Sequence, residues 1–182
     1  MVTKKIVQEV IETAARRQKA QLCITGAHIL DVYNKEWFEA DLLVQDGYIA
    51  GFAASGQGEA ETMVDAGGRY LLPGFIDSHV HIESSHATPE EFSNIVVPCG
   101  TTTVVADPHE ICNVCGLDGL SYMLEASKNT ALQAFFMVPS CVPATAFEHS
   151  GAVLKAEDIK EALNHDRILG LGEMMDFPGV VA

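Results

Sequence analysis

The sequence predicts an α/β fold: an N-terminal helix, part of a small β-sandwich domain, and the first half of a (β/α)8 barrel. Three observations predict it. From residue 73 onward, strand-like and helix-like segments alternate as βαβαβαβ, which implies parallel strands joined by right-handed crossovers. Three of those four strands end in side chains that bind metals or move protons, at the end where barrels carry their sites. The residues before them read as short antiparallel strands with too little core to stand comfortably alone.

Composition narrows the function classes. The 182 residues are 48% hydrophobic and 20% charged, a globular balance. With 25 acidic against 11 basic residues the net charge is −14. Such a surface repels phosphates and anionic lipid, so no nucleic acid and no membrane are expected as partners. No apolar run reaches spanning length, and no signal-peptide core follows Met1-Val2-Thr3-Lys4-Lys5. Five cysteines without an export signal favour free thiols in a reducing compartment, hence a cytoplasmic protein.

The elements follow in order. Ile6, Val7, Val10, Ile11, Ala14 and Ala15 recur at helical spacing, which predicts a helix within residues 1–20 that docks on the protein's own body or on a partner subunit. Residues 21–72 form the small β domain. Leu22–Thr25 is a strand stopped by Gly26, Ala27–Tyr33 a second, and Phe38–Val44 a third. Asp46-Gly47 is a hairpin turn into Tyr48–Phe52, and Thr62–Ala66 follows. His28 reads as a strand-surface residue without a partner. Residues 73–182 supply four β/α units. The first strand is Leu71–Ser84. Thr88 caps a helix with Pro89 at its first position. Thr101–Asp107 is a β-branched buried strand, followed by a loop Pro108-His109-Glu110. Leu117–Ser127 is helix, Ala131–Val138 strand, Lys155–Asn164 helix, and Arg167–Glu173 the fourth strand.

The chemistry gathers at the strand ends. Residues two apart on a strand share a face, so Asp77, His79, His81 and Glu83 lie together, opposite Ile76, Val80 and Ile82. Imidazoles and a carboxylate on one face suit a strand that offers metal ligands at its open end. Asp107 and His109 end the second strand and Glu173 the fourth. The third ends in Pro139-Ser140-Cys141. Asp77 could orient an imidazole through its free ring nitrogen. One competing pattern, His81-x-Glu83 with Cys112-x-x-Cys115, imitates the zinc signature of cytidine-type deaminases. Ile111 in place of proline, and a strand where that chemistry needs a helix, argue against it. Cys23, Cys99, Cys112, Cys115 and Cys141 read as packing residues.

The run Leu72-Pro73-Gly74-Phe75-Ile76-Asp77-x-His79-x-His81 resembles the first barrel strand of the amidohydrolase superfamily. Together with His81-Ile82-Glu83-Ser84-Ser85, Thr101–Glu110 and Gly172–Val180, nearly the whole chain is similar to the N-terminal portion of the bacterial-type adenine deaminases. That resemblance implies a metal-dependent barrel hydrolysing adenine to hypoxanthine and ammonia, in purine salvage. It implies a binuclear centre of Mn²⁺ or Fe²⁺, with Zn²⁺ not excluded, and adenine as the small-molecule partner. His79 and His81 match the ligands of one metal, and Glu173 matches the bridging carboxylate. Asp107, His109 and Glu83 are candidates for proton transfer, outer-shell support or an accessory metal. His86 stands where an apolar residue is expected.

Length departs from the pattern. A full barrel needs about 250 residues, and the family's distal ligands have no place here. The expected assembly is therefore a homo-oligomer, or a segment completed by the remainder of the same polypeptide, and the 182 residues alone are expected to be inactive. The alternative readings are an inactive metal-binding fragment that needs a complementary chain, or another amidohydrolase acting on a cyclic amide or aminated base.

Overall fold

The computed structural model describes residues 2–181, which divide into two compact units between Pro73 and Gly74. The first unit is built on β1 (Ala20–Asp31), β2 (Glu36–Gln45), β3 (Tyr48–Ala53), β4 (Ala60–Asp65) and β5 (Tyr70–Leu71). β1 is one strand, not the expected two. Gly26, with φ 64°, does not end it but makes a bulge, and the register along β2 shifts between Ile24 and Ala27. A side chain there would also meet the Asp65 carboxylate. Asp46 and Gly47 take positive φ and turn β2 into β3, as their types require.

The sheet is mixed, where the sequence suggested antiparallel strands throughout. Its order is β3-β2-β1-β4, and both β4 and β5 pair parallel with β1. The chain leaves β3 at one edge and joins β4 at the other, and a crossover of that kind returns parallel. Asp41, buried in β2, holds the crossing segment by accepting the Gly58 N–H at 2.8 Å. His28 does have partners: Glu39, its cross-strand neighbour, at 3.3 Å, and the Tyr70 ring.

The helix α1 (Lys4–Ala14) packs on β2 and β3. Thr3 caps it, accepting the Ile6 N–H. The helix ends well short of residue 20 because Arg16 adopts φ 59° and Arg17 turns back to bond Glu12 at 2.6 and 2.8 Å. Its inward face is Ile6, Val10 and buried Thr13, while Val7 and Ile11 stay exposed. The sheet's apolar groups form two small clusters, around Cys23–Leu43 and Ile29–Leu42.

The second unit is a parallel sheet in sequential order: β6 (Phe75–Val80), β7 (Thr101–Ala106), β8 (Gln133–Val138) and β9 (Ile168–Leu171). Between and after them come α2 (Pro89–Val96), α3 (His109–Cys115), α4 (Leu117–Ala126), α5 (Ala156–Ala162) and α6 (Phe177–Val181). Alternation sets the two faces. Val104, Ala106, Ala134, Phe136 and Val138 point to the helices and bury against Leu120, Met123 and Leu124. Thr103, Val105, Phe135 and Met137 point the other way and are half-buried.

Three boundaries near the strand ends differ from the expected ones. β6 stops at Val80, so His81 lies beyond it and Glu83 opens a short 3-10 turn, Glu83–Ser85. Pro108-His109-Glu110 is not loop: α3 begins at His109, because the Cys112 N–H already reaches the Pro108 carbonyl at 3.1 Å. β9 ends at Leu171, which leaves Glu173 on the segment after it. Among the described residues no helix is long and apolar enough to cross a membrane.

Candidate metal centre

The site grows from an irregularity in β6. Its pairing with β7 slips between Asp77 and Val80, and Asp77 Oδ1 accepts the backbone N–H of His79 at 3.1 Å. Asp77 is thus engaged with the strand's own backbone, where the sequence suggested an imidazole. The slip re-aims side chains at the strand end. His79 and His81 face each other, Nε2 to Nε2 at 3.3 Å, with their rings at 80°.

Glu173 closes the group from the segment just after β9. Its Oε2 lies 3.7 Å from His79 Nε2 and its Oε1 lies 3.4 Å from His81 Nε2. Its backbone is pinned on both sides: the N–H donates to Asp107 Oδ2 at 2.8 Å, and the carbonyl accepts the Ser140 hydroxyl at 2.6 Å. Gly172 makes room for this, since a Cβ there would collide with the Asp107 carboxylate. His81 Nδ1 lies 2.6 Å from the Asp107 carbonyl, which can only accept, so the proton sits on Nδ1 and the Nε2 lone pair faces the group. Three acceptors turned on one point suit a cation. Ligand atoms about 2.1 Å from one ion stand about 3.0–3.4 Å apart at tetrahedral to right angles, close to the spacings here.

Asp107 and His109 form the adjoining wall and meet Glu173 as a second group. Both are buried. Asp107 Oδ1 and His109 Nδ1 are 2.7 Å apart but not aligned as a hydrogen bond, and neither atom, nor His109 Nε2, has another partner. Burial alone would raise the Asp107 pKa, yet His109, the Glu173 N–H and His81 hold it below its ordinary value. Burial likewise pushes the His109 imidazolium down, and Asp107 and Cys141 more than offset it.

Glu83 stands apart from both groups, in place of the shared face expected for it. The 3-10 turn carries it behind α3, where Oε1 accepts the Ile111 N–H at 3.3 Å. Burial raises its pKa, and neighbouring Glu110 adds to the effect. His86 caps that turn in the left-handed region and joins neither group. Cys112 is buried, its thiol pushed up to about 12 by burial and by Glu83 and Asp107, while Cys115 is exposed. No cysteine enters a ligand group among the described residues, so the cytidine-deaminase pattern is not assembled.

A cleft of about 280 Å³ opens on the centre, lined by His81, His109, Glu110, Cys141, Glu148 and Glu173, among others. Three of these were not anticipated. Glu110 Oε2 lies 3.3 Å from His81 Nδ1, with Oε1 held by the Ser84 hydroxyl at 2.9 Å; its place directly after His109 was the available signal. Cys141 faces the cleft and takes the Met175 N–H on its sulfur at 3.4 Å, so it is not a packing residue. Glu148 comes from the long β8–α5 segment and had no sequence signal. A larger hollow of about 400 Å³ lies in the first unit, but its walls are mostly apolar, with Ile29, Phe38 and Phe52 among them, and it carries no ligand group.

The model of the amidohydrolase family matches residues 70–181, and the chain belongs to that family. Among curated proteins it is 51% identical over 180 residues to adenine deaminase 2 of Desulfotalea psychrophila, a match covering 99% of this chain and 31% of that protein. It is 54% identical over 177 residues to the adenine deaminase of Bacillus pumilus, covering 97% and 30% respectively. The chain therefore spans about three-tenths of the length of these relatives. Among solved structures, the zinc complex of atrazine chlorohydrolase TrzN from Arthrobacter aurescens superposes with TM-score 0.64 at 15% identity, over 87% of this chain and 48% of that one. The D-hydantoinase from Thermus sp. gives 0.57 at 21%, over 79% and 31%. These two likenesses concern the fold: the four β/α units are the first half of a (β/α)8 barrel.

Proposed function

We propose that this chain is the N-terminal segment of an enzyme that hydrolyses adenine to hypoxanthine and ammonia. The observation that carries it is the convergence of His79, at the end of β6, with His81 and Glu173, just beyond β6 and β9, on one point beside a cleft. Identity near 50% to adenine deaminases, over almost all of this chain, supports the substrate.

His79, His81 and Glu173 would hold a divalent cation, and imidazole with carboxylate suits Mn²⁺ or Fe²⁺ without excluding Zn²⁺. Such ions lower the pKa of water and polarise the bond under attack. The chain's own residues do the rest. The Asp107 carbonyl keeps His81 in the tautomer that presents Nε2, and Ser140 with Asp107 fixes the backbone that carries Glu173. Glu110, beside His81, is the carboxyl we read as carrying protons to the purine ring and the leaving amine, with Glu83, its neighbour behind α3, acting through it. For Asp107 and His109, a buried carboxylate–imidazole pair suits either proton transfer or a cation. A cytoplasmic setting and assembly with the remaining polypeptide, or as a homo-oligomer, complete the reading.

The test is ammonia release from adenine with Mn²⁺ present. We expect none from the 182 residues alone and turnover once they are joined to the C-terminal part of a relative. Turnover by the 182 residues alone would overturn the requirement for further ligands. A completed protein that leaves adenine untouched but hydrolyses a cyclic ureide or another aminated base would replace the substrate.

A further inference from the structure

We propose that the cleft between the α1–β1 connection and the segment crossing from β3 to β4 binds a phosphate group, free or carried on a small phosphomonoester. The site lies wholly in the first unit and depends neither on the metal centre nor on adenine.

The bulk of the surface is acidic, but its charge is not uniform. Three of the 11 basic residues fall within four positions: Arg16, Arg17 and Lys19. With Thr13, Gln18 and Glu59 they line a cavity of about 370 Å³, within the range of roughly 300–1,000 Å³ usual for small-molecule sites. Its floor is built from polar groups withdrawn from water. Thr13 and Gln45 are both buried. The Thr13 hydroxyl donates to Gln45 Oε1 at 3.3 Å and accepts from the Gln18 amide at 3.0 Å, and that amide also donates to the Glu9 carbonyl at 3.0 Å. The facing wall is held as well: Asp41 accepts the Gly58 N–H at 2.8 Å, and the Glu59 carbonyl accepts the Ala20 N–H at 3.0 Å. Arg16, at a φ of 59° that side chains rarely adopt, reaches across to the Gln57 carbonyl.

The cations keep donors to spare. A guanidinium carries five N–H groups and an ammonium three. Among the described residues Arg16 uses one for Gln57, and Arg17 uses two for Glu12. Lys19 lies 3.9 Å from Glu59, too far for a hydrogen bond, and both side chains are exposed, so water screens the pair and a better acceptor can displace it. The negative end of α1 accounts for Arg17, which folds back on its own helix. It does not account for Arg16 or Lys19, which meet the crossing segment. Three cations against Glu12 and Glu59 leave the cleft positive. A phosphate, with about −1.5 to −2 charge at pH 7 and several acceptor oxygens, matches that donor set.

Isothermal titration of the metal-free 182-residue chain with inorganic phosphate, glycerol 3-phosphate and glycerol, at physiological ionic strength, tests this. One equivalent of a phosphate ligand is expected and no heat from glycerol, and the tighter of the two phosphates identifies the source the cleft takes. Arg16→Gln and Lys19→Gln should each weaken binding roughly tenfold or more. Lys19 makes no hydrogen bond among the described residues, so Lys19→Gln should do this with an unchanged urea midpoint. Lys35→Gln, at an exposed position in the β1–β2 turn, should leave the affinity unchanged. No binding of either phosphate by the unaltered chain would overturn the site. So would full affinity in both Arg16→Gln and Lys19→Gln, or an equal loss in Lys35→Gln and Lys19→Gln, which would leave only a solvated cluster of surface charges.

Discussion

At the scale of single residues, backbone bonds decide what the side chains present. His81 turns its Nε2 lone pair toward His79 and Glu173 because a main-chain carbonyl takes its Nδ1 proton. Asp77 bonds its neighbour's amide and thereby shapes the strand end. Asp31 does the same in the first unit. It accepts the Tyr33 N–H at 2.9 Å, the Asn34 N–H at 3.1 Å and the Asn34 side chain at 2.7 Å, and these bonds, the Asn34 side chain foremost, hold its pKa below the ordinary value. The sign follows from linkage. A depressed folded pKa gives stability that is present above the unfolded value of about 3.9 and lost as pH falls through the folded one. Asp31→Ala should therefore lower the melting temperature at pH 7, and the difference should close in strong acid. An equal deficit at pH 7 and at acid pH would mean that the ionised form contributes nothing.

Among the elements, α2 shows how local signals support the site from a distance. Thr88 Oγ1 accepts the Glu91 N–H at 3.3 Å, and Pro89 follows at the first helical position. The helix lays Phe92 and Val96 on the apolar core, and Ser93 accepts the Leu132 N–H just ahead of β8 at 3.1 Å. Thr88→Ala removes a cap, which costs about 1 kcal/mol, and urea unfolding should show that loss while Mn²⁺ stoichiometry stays unchanged. A midpoint equal to that of the unaltered chain would show that tertiary packing alone holds this end. β6 is the contrasting case. Its slip, which has no counterpart in the hydrophobic pattern, lies at the strand end where His79 and His81 meet.

For the molecule as a whole, the second unit has a sheet with one face covered by helices and the other only partly covered. Phe75, Ile76, Leu169 and Phe177 are exposed, and β6 and β9 each pair on one side only among the described residues. Unpaired strand edges and contiguous apolar surface favour association. The 182 residues by themselves should sediment as a concentration-dependent oligomer and bind a hydrophobic dye, and the completed polypeptide should do so less. A dye-silent monomer at all concentrations would show that the exposed face needs no cover.

Alternation, caps and turn residues were legible in the linear chain because they act over a few positions: the order of strands and helices, the Thr88 cap, the Asp46-Gly47 turn, and the placement of His79, His81, Asp107 and Glu173 at strand ends. Those signals depend on each residue's own backbone preference and on the period of its neighbours. What only the tertiary structure decided is long-range. The parallel return of β4 depends on a crossover spanning the sheet. Glu83 left the expected face because a 3-10 turn replaced the last residues of a strand. The meeting of Asp107 with Glu173, 66 positions apart, needs Gly172 to leave room for a carboxylate. Distances of that kind follow from how elements pack, and no local preference encodes them.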